Sequence, residues 1–311
     1  MATADPAELD ARVRSAEAAL AARYGRTITE HQVRTTDGLR VRVVDYAGAH
    51  SGPPVLLLHG IASVTALAVP LIGRLEGRRV LAVDWPGHGL SGAAVLPRGG
   101  DLRAHAVAVL DAVIAGLDLT IVDVVGHSLG GQFAVYEALA HPERVRRLVL
   151  LGAPGAAFAE ARPGLRMRLV AVPGLGTALL GLSTSQNTTR RGFARTLGAG
   201  ALDGYPAEII EIAHLCSQRP SFGPSVASLF RAMMTPLAAR AGVAIGREEL
   251  SALSAPTLLV WGDADSLLVP QRADADIAAI PHAELLEIHG GHAPWLNDLD
   301  RVGAAVSAHL N

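Results

Sequence analysis

Hydrophobic and polar positions divide this chain into three regimes. Residues 6–23 space alanine, leucine and valine among arginine and glutamate, the pattern of an amphipathic helix opening at Pro6. "TITEHQVRT" and "GLRVRVVDYAG" then alternate apolar and polar residues around Asp37-Gly38, a hairpin signal, so the fold is expected to open with antiparallel strands. Beyond residue 53 the alternation gives way to continuous apolar runs: "PVLLLHG", "RRVLAVDWPG", "LTIVDVVGHS" and "RRLVLLGAPG". Helical segments over 63–76, 101–116 and 129–141 separate them. Continuous apolar strands alternating with helices predict a parallel sheet covered on both faces. The rhythm resumes late in the chain with "APTLLVWGDAD", a helix over 269–280, "AELLEIHGGH" and a last helix running to His309.

Residues 156–250 follow neither pattern. Proline and glycine interrupt short helical stretches there, and no segment reads as a strand. They predict a helical lid inserted between two strands. The expected organisation is an N-terminal helical segment (1–26), an α/β core (27–155 and 251–311) and the lid (156–250). The lid brings apolar side chains such as Leu165, Met167, Leu169, Phe222, Phe230, Met233 and Met234, whose simplest role is to pack it against itself and the sheet.

Composition narrows the chemistry. The chain has 311 residues, half of them hydrophobic, enough for a large core. A formal net charge of -2 and the lack of a basic stripe argue against a nucleic-acid partner. All 27 basic residues are arginine, which excludes a Schiff-base lysine, pyridoxal-phosphate chemistry and a Walker-type phosphate loop. Cys216 is the single cysteine, so neither an intrachain disulfide nor a cysteine zinc site can form; it reads as an inert buried thiol. The opening residues lack a signal-peptide pattern, and no run approaches the roughly 18 uninterrupted apolar residues of a membrane span. The expectation is a cytoplasmic protein without an integral membrane span.

Gly126-His127-Ser128-Leu129-Gly130 fits G-x-S-x-G at the junction of an apolar strand and a helix. In an open parallel sheet, reactive groups collect beyond the carboxyl ends of the strands. A sharp strand–turn–helix reversal lifts the serine clear of the sheet, and the flanking glycines let backbones pass where a Cβ would clash. Such a serine needs a base and the base an orienter, in the chain order Ser, Asp or Glu, His. His292, in "HGGHAPWLND", follows the last predicted strand and is the expected base; His289 lies closer to the strand. His127, adjacent to the serine, is expected to turn away from it. In "WGDAD", Asp265 is the expected orienter and Asp263 the alternative; Asp84 and Asp123 read as structural carboxylates. Acyl transfer also needs two amides aimed at the developing oxyanion. The expected donors are the N–H groups of Leu129 and Ile61, with His59 and Gly60 shaping the second loop.

With these pieces in order, the chain resembles the α/β-hydrolase family, in its lid-bearing branch. "LLLHGIAS", "VDWPGHGLS", "VGHSLGG", "LLVWGDADSLLVP" and "GGHAPWLND" carry the likeness from about residue 27 to the end, outside the lid. The resemblance implies an α/β fold with a mostly parallel sheet, an acid at Asp265, a base at His292, and structural roles for Asp84 and His88. A serine nucleophile separates the chain from the dehalogenase and epoxide-hydrolase branches, which attack with a carboxylate. Ile-Ala-Ser after His59-Gly60 departs from the Gly-Gly-Pro-Gly of proline iminopeptidases and from the Ser-Gly-Pro-Gly kind of loop of carbon–carbon bond hydrolases.

The reaction expected is hydrolysis of a carboxylic ester or related acyl bond in a small, largely apolar substrate. Ser128, Asp265 and His292 form the triad, Ile61 and Leu129 the oxyanion hole, and Gly126, Gly130, His59 and Gly60 the support. No cofactor and no metal are implied for it. Two alternatives stand beside it: carbon–carbon bond hydrolysis by the same triad, and a receptor-like ligand-binding protein with little turnover.

Overall fold

The computed structural model describes residues 5–161, 164–182, 184–198, 200–235, 237, 239–240 and 242–311. Residues 1–4 of the expected N-terminal segment, and 162–163, 183, 199, 236, 238 and 241 of the expected lid, lie outside them. The helix α1 (Pro6–Arg23) precedes the antiparallel pair β1 (Ile28–Arg34) and β2 (Arg40–Tyr46). Asp5 caps α1 by accepting the Ala7 amide, and Pro6 stands at its first position, where no amide is needed. There follow β3 (Val55–Leu58), α2 (Val69–Arg74), β4 (Val80–Asp84), α3 (Leu102–Gly116), β5 (Val122–His127), α4 (Leu129–Ala140) and β6 (Val145–Leu151).

Between β6 and the next strand the chain forms helices α5 (Leu165–Val170), α6 (Leu175–Leu180), α7 (Gln186–Leu197), α8 (Glu208–Ser217), α9 (Phe222–Met233) and α10 (Arg247–Leu250). Then come β7 (Thr257–Gly262), α11 (Pro270–Ile277), β8 (Ala283–Ile288) and α12 (Leu299–Leu310). The eight strands make one sheet in the order β1-β2-β4-β3-β5-β6-β7-β8, antiparallel at β1 and β2 and parallel from β4 onward. The antiparallel start and parallel body agree with the sequence pattern. The helix expected over 63–76 is corrected: it is a 3-10 turn over Thr65–Ala68 followed by α2. Pro70 has no amide to extend an α-helical ladder, and it sits at the start of α2, where none is required.

The central strands β3, β4, β5 and β7 are buried along their whole length, which explains why they read as unbroken apolar runs. One core, under α3, α4 and α9, contains Phe133, Trp85 and Trp261; the other, under α1, α2 and α12, contains Leu20, Leu67 and Trp295. The three buried tryptophans each donate an indole N–H to a loop carbonyl: Trp85 to His59, Trp261 to Leu268 and Trp295 to Leu67. Each thereby joins a core to a loop at the strand ends.

A buried charge cluster ties α1 to the sheet. Arg42 on β2 reaches Glu17 on α1 at 2.6 Å and Asp84 at the end of β4 at 3.0 Å, and all three side chains are at most 4% exposed. Asp84 also accepts the Leu90 amide, so the cluster reaches the 85–91 turn. Removing the cation leaves two carboxylates buried without it. Arg42→Ala is expected to lower stability by about 3–5 kcal/mol. Urea unfolding measures it, and a loss under 1 kcal/mol would show that the cluster is dispensable.

Candidate active site

Ser128 lies between β5 and α4 with φ 54° and ψ -120°, a conformation that few non-glycine residues adopt. Such backbone costs on the order of 1–3 kcal/mol and persists only where its surroundings impose it. The surroundings here are crowded. A Cβ on Gly130 would fall on the carbonyl of Leu58, and one on Gly126 would lie 2.5 Å from the carbonyl oxygen of Gly130. The Ser128 amide bonds to the Leu151 carbonyl of β6, and the Ser128 carbonyl accepts the Gln132 amide in the first turn of α4.

Asp265 follows β7 and His292 follows β8, and the two meet beyond the strand ends. Asp265 Oδ2 lies 2.8 Å from His292 Nδ1, with both side chains buried. The same carboxylate accepts the Ala153 amide at Oδ2 and the Leu267 amide at Oδ1, each at 2.9 Å. Burial by itself would raise the pKa of Asp265. The charge and hydrogen bond of the His292 ring, with the two amides, outweigh burial and hold the carboxyl below its ordinary range. A carboxylate at Nδ1 leaves Nε2 as the ring nitrogen free for a proton from the serine. The alternative acid, Asp263, points elsewhere: it accepts from the Gly290 amide and pairs with His289, whose side chain is 97% exposed.

Ser128 and His292 line one cavity of about 460 Å3, together with Gly60 and Ile61. Neither the Ile61 nor the Leu129 amide has an acceptor among the described residues. The 59–62 loop is braced by imidazoles. His59 spans it, with Nδ1 2.7 Å from the Gly60 carbonyl and Nε2 near the Trp85 amide. His88 Nε2 accepts the Ala62 amide at 3.0 Å, and Ala62 itself has φ 55°. Burial lowers the pKa of His59 and, with the neighbouring His59, takes His88 to about 3, so both rings stay neutral and can accept with one nitrogen.

His127, expected to turn away from the serine, bonds instead to the residue expected as the base: its Nε2 donates to the His292 carbonyl at 3.0 Å, and the two rings stand 4.9 Å apart. The Trp295 indole packs against its other side. Burial, followed by the neighbouring His292, brings its pKa to about 3. Gly152, with φ 67°, was also missed; a Cβ there would lie 2.5 Å from the His292 carbonyl oxygen. His127 fills an open position of the G-x-S-x-G motif and Gly152 lies outside any motif, and the partners of both lie more than a hundred residues away.

The far wall of the cavity comes from α5 to α9, with Met167, Leu180, Phe193, Phe222 and Phe230 among its apolar members. Leu165, which the sequence placed among the apolar surfaces of this segment, is instead 71% exposed. Arg166 and Arg195 also line the cavity, and neither has an anionic partner among the described residues.

A sequence model described as the alpha/beta hydrolase fold matches residues 53–298. The chain belongs to the α/β-hydrolase fold family. It is 32% identical over 272 residues to a 2-hydroxymuconate semialdehyde hydrolase of Pseudomonas putida, covering 83% of this chain and 87% of the relative. It is 28% identical to a pimeloyl-[acyl-carrier protein] methyl ester esterase of a Shewanella species, over 83% and 91% of the two chains. The fold is also similar to that of carboxylesterase CesB from Bacillus subtilis, with a TM-score of 0.74, 22% identity, and 97% and 98% of the chains covered. No helix among the described residues of this α/β-hydrolase is long and apolar enough to cross a membrane.

The neutral imidazoles carry a cost in acid. His88 and His127 hold pKa values of about 3 when folded, against about 6.5 when unfolded. Between those values the unfolded chain binds protons that the folded chain does not. Stability therefore rises with pH through that window and is lost on acidification, by about 1.4 kcal/mol per pH unit for each histidine. Urea unfolding at pH 7 and pH 5 is expected to show a larger loss for the native protein than for His88→Gln, and equal losses would rule out this account for His88.

Proposed function

We propose that this α/β-hydrolase is a serine esterase that cleaves a carboxylic ester, or a related acyl bond, of a small substrate with a largely apolar body. The observation that carries the reading is the buried Asp265–His292 pair at 2.8 Å opening onto the cavity that Ser128 lines. In the proposed reaction His292 takes the Ser128 proton as Oγ attacks the carbonyl carbon. Asp265 keeps the proton-bearing Nδ1 directed at itself and stabilises the imidazolium. The amides of Ile61 and Leu129 receive the oxyanion, aided by the amino end of α4. His292 then protonates the departing alcohol, and a water activated by the same ring releases the acid. Helices α5 to α9 act as the cap, supplying the wall that selects the acyl group. The similarity to a methyl ester esterase and the apolar lining support an ester substrate.

A second reading, hydrolysis of a carbon–carbon bond in a vinylogous diketone, uses the same triad. It is favoured by the similarity to a 2-hydroxymuconate semialdehyde hydrolase and by Arg166 and Arg195, whose charges suit a carboxylate on the substrate.

Labelling by a fluorophosphonate probe is expected for the native protein and absent for Ser128→Ala; equal labelling would sink the assignment. Hydrolysis of p-nitrophenyl esters should fall by at least about 10^4-fold in Ser128→Ala and by about 10^4-fold in Asp265→Asn, measured as kcat. For the second reading, Arg166→Gln and Arg195→Gln should raise KM for an anionic ring-fission substrate and leave KM for neutral esters unchanged. Turnover of neutral esters alone would discard it.

A further inference from the structure

The far end of α4 carries a cluster that the hydrolytic site does not use. Glu137 and His141 stand one turn apart at the end of α4, and Asp111 faces them from α3. One ligand atom from each lies within 4.8 Å of the others. His141 Nε2 is 3.3 Å from Asp111 Oδ1. The Glu137 side chain is fully buried, yet neither of its oxygens has a hydrogen-bond partner among the described residues. A buried carboxylate with no donor at either oxygen demands an explanation by a proton, a water or an ion.

Arg144 supplies part of the charge balance. It pairs with Asp111, but its Nη1 remains 3.7 Å from Glu137, beyond hydrogen-bond reach. Its side chain is 30% exposed and so has a route outward. A compact divalent ion could approach Glu137 where the guanidinium does not. On the other side of the imidazole, Glu143 lies 3.7 Å from His141 Nδ1. That distance is beyond hydrogen-bond reach, and the ring nitrogen that lies toward Asp111 is Nε2.

We propose that Asp111, Glu137 and His141 form a binding site for a divalent first-row transition cation, with Zn2+ as its probe. One imidazole nitrogen and two carboxylates suit such an ion better than Mg2+ or Ca2+, which favour oxygen ligands alone. Water completes the coordination, and Arg144 swings away as the ion enters. The ion joins α3 to α4, the helix whose other end begins at Ser128. At about 1.5 Å per residue, the nine residues from Ser128 to Glu137 put it roughly 13 Å from the serine, so its role is structural.

Zn2+ titration of the full chain by calorimetry, with Co2+ absorption as the second readout, tests the proposal. One saturable ion is expected per chain, with visible Co2+ bands that Zn2+ displaces. Glu137→Gln and His141→Ala should each weaken binding at least about tenfold, and Glu143→Ala, whose carboxylate makes no hydrogen bond to the ring, by less than either. Arg144→Ala should tighten it, since it removes a competing cation. Ester hydrolysis should be unchanged in all four variants, which also reports that they fold. Absence of saturable binding in both the native protein and Arg144→Ala would overturn the proposal in favour of a protonated Glu137. Binding of equal strength in His141→Ala and Glu137→Gln would overturn it in favour of another site.

Discussion

The contact on which the candidate site depends is the one between Gly130 and the end of β3. The carbonyl of Leu58 occupies the space that a side chain at residue 130 would need. That approach lets α4 start directly beside β3, and it forces Ser128 into its positive-φ turn. The same contact sets the spacing between the serine and the 59–62 loop, because that loop begins where β3 ends: a Cβ on Gly60 would lie 3.0 Å from the Ser128 Cβ. A strained backbone of this kind survives because β3 and β5 are buried along their whole length and bonded into the sheet, and cannot relax without breaking it. The strain is thus maintained by the core, which holds Ser128 in place.

Around this turn, one residue type serves two electrostatic purposes. His59, His88 and His127 are buried with no carboxylate hydrogen-bonded to them among the described residues, and burial keeps them neutral. A neutral imidazole can accept from one amide while donating to a carbonyl, so these rings act as loop braces. His292 is equally buried but has Asp265 against Nδ1, the arrangement in which a charged imidazole can be stabilised. The division between brace and proposed base is therefore made by the neighbour on the ring.

The segment between β6 and β7 supplies the far wall of the cavity that Ser128 and His292 line. It is anchored at several places. Arg23 on α1 holds Glu208 on α8 at 2.7 Å, and Arg219 reaches Asp10 at 3.2 Å. Ser225 and Ser228 on α9 accept the amides of Ala94 and Leu96. The N-terminal helix and the 85–96 connection thus carry the wall that faces the serine. The sheet and this wall are separate parts of the cavity, and membership of a fold family does not by itself fix a substrate.

The order of strands and helices, the antiparallel opening, the elbow at Ser128 and the candidates Asp265 and His292 were all legible in the chain itself. Their signals are local: strand runs set by burial on two faces, glycines set by a steric turn, and acid and base placed in the turns just after their strands. Supporting roles for His59, Gly126, Gly130 and His88 were expected; the long-range partners around the site were not legible, because those contacts cross the sheet. His127 bonding to the His292 carbonyl, Gly152 yielding space to it and His88 holding the Ala62 amide join segments tens to hundreds of residues apart, and no periodicity records such a meeting. The cavity lining is largely apolar, and Arg166 and Arg195, remote in sequence from the motifs, join it from the helices above. Likewise Asp111, Glu137 and His141 look like ordinary surface-helix residues until packing of α3 on α4 gathers them around a buried carboxylate. The chain determined by itself the order of its strands and most of its helices, because their patterns rest on neighbours in sequence. Only the tertiary structure decided which groups share a space, because that depends on how closely two backbones can approach.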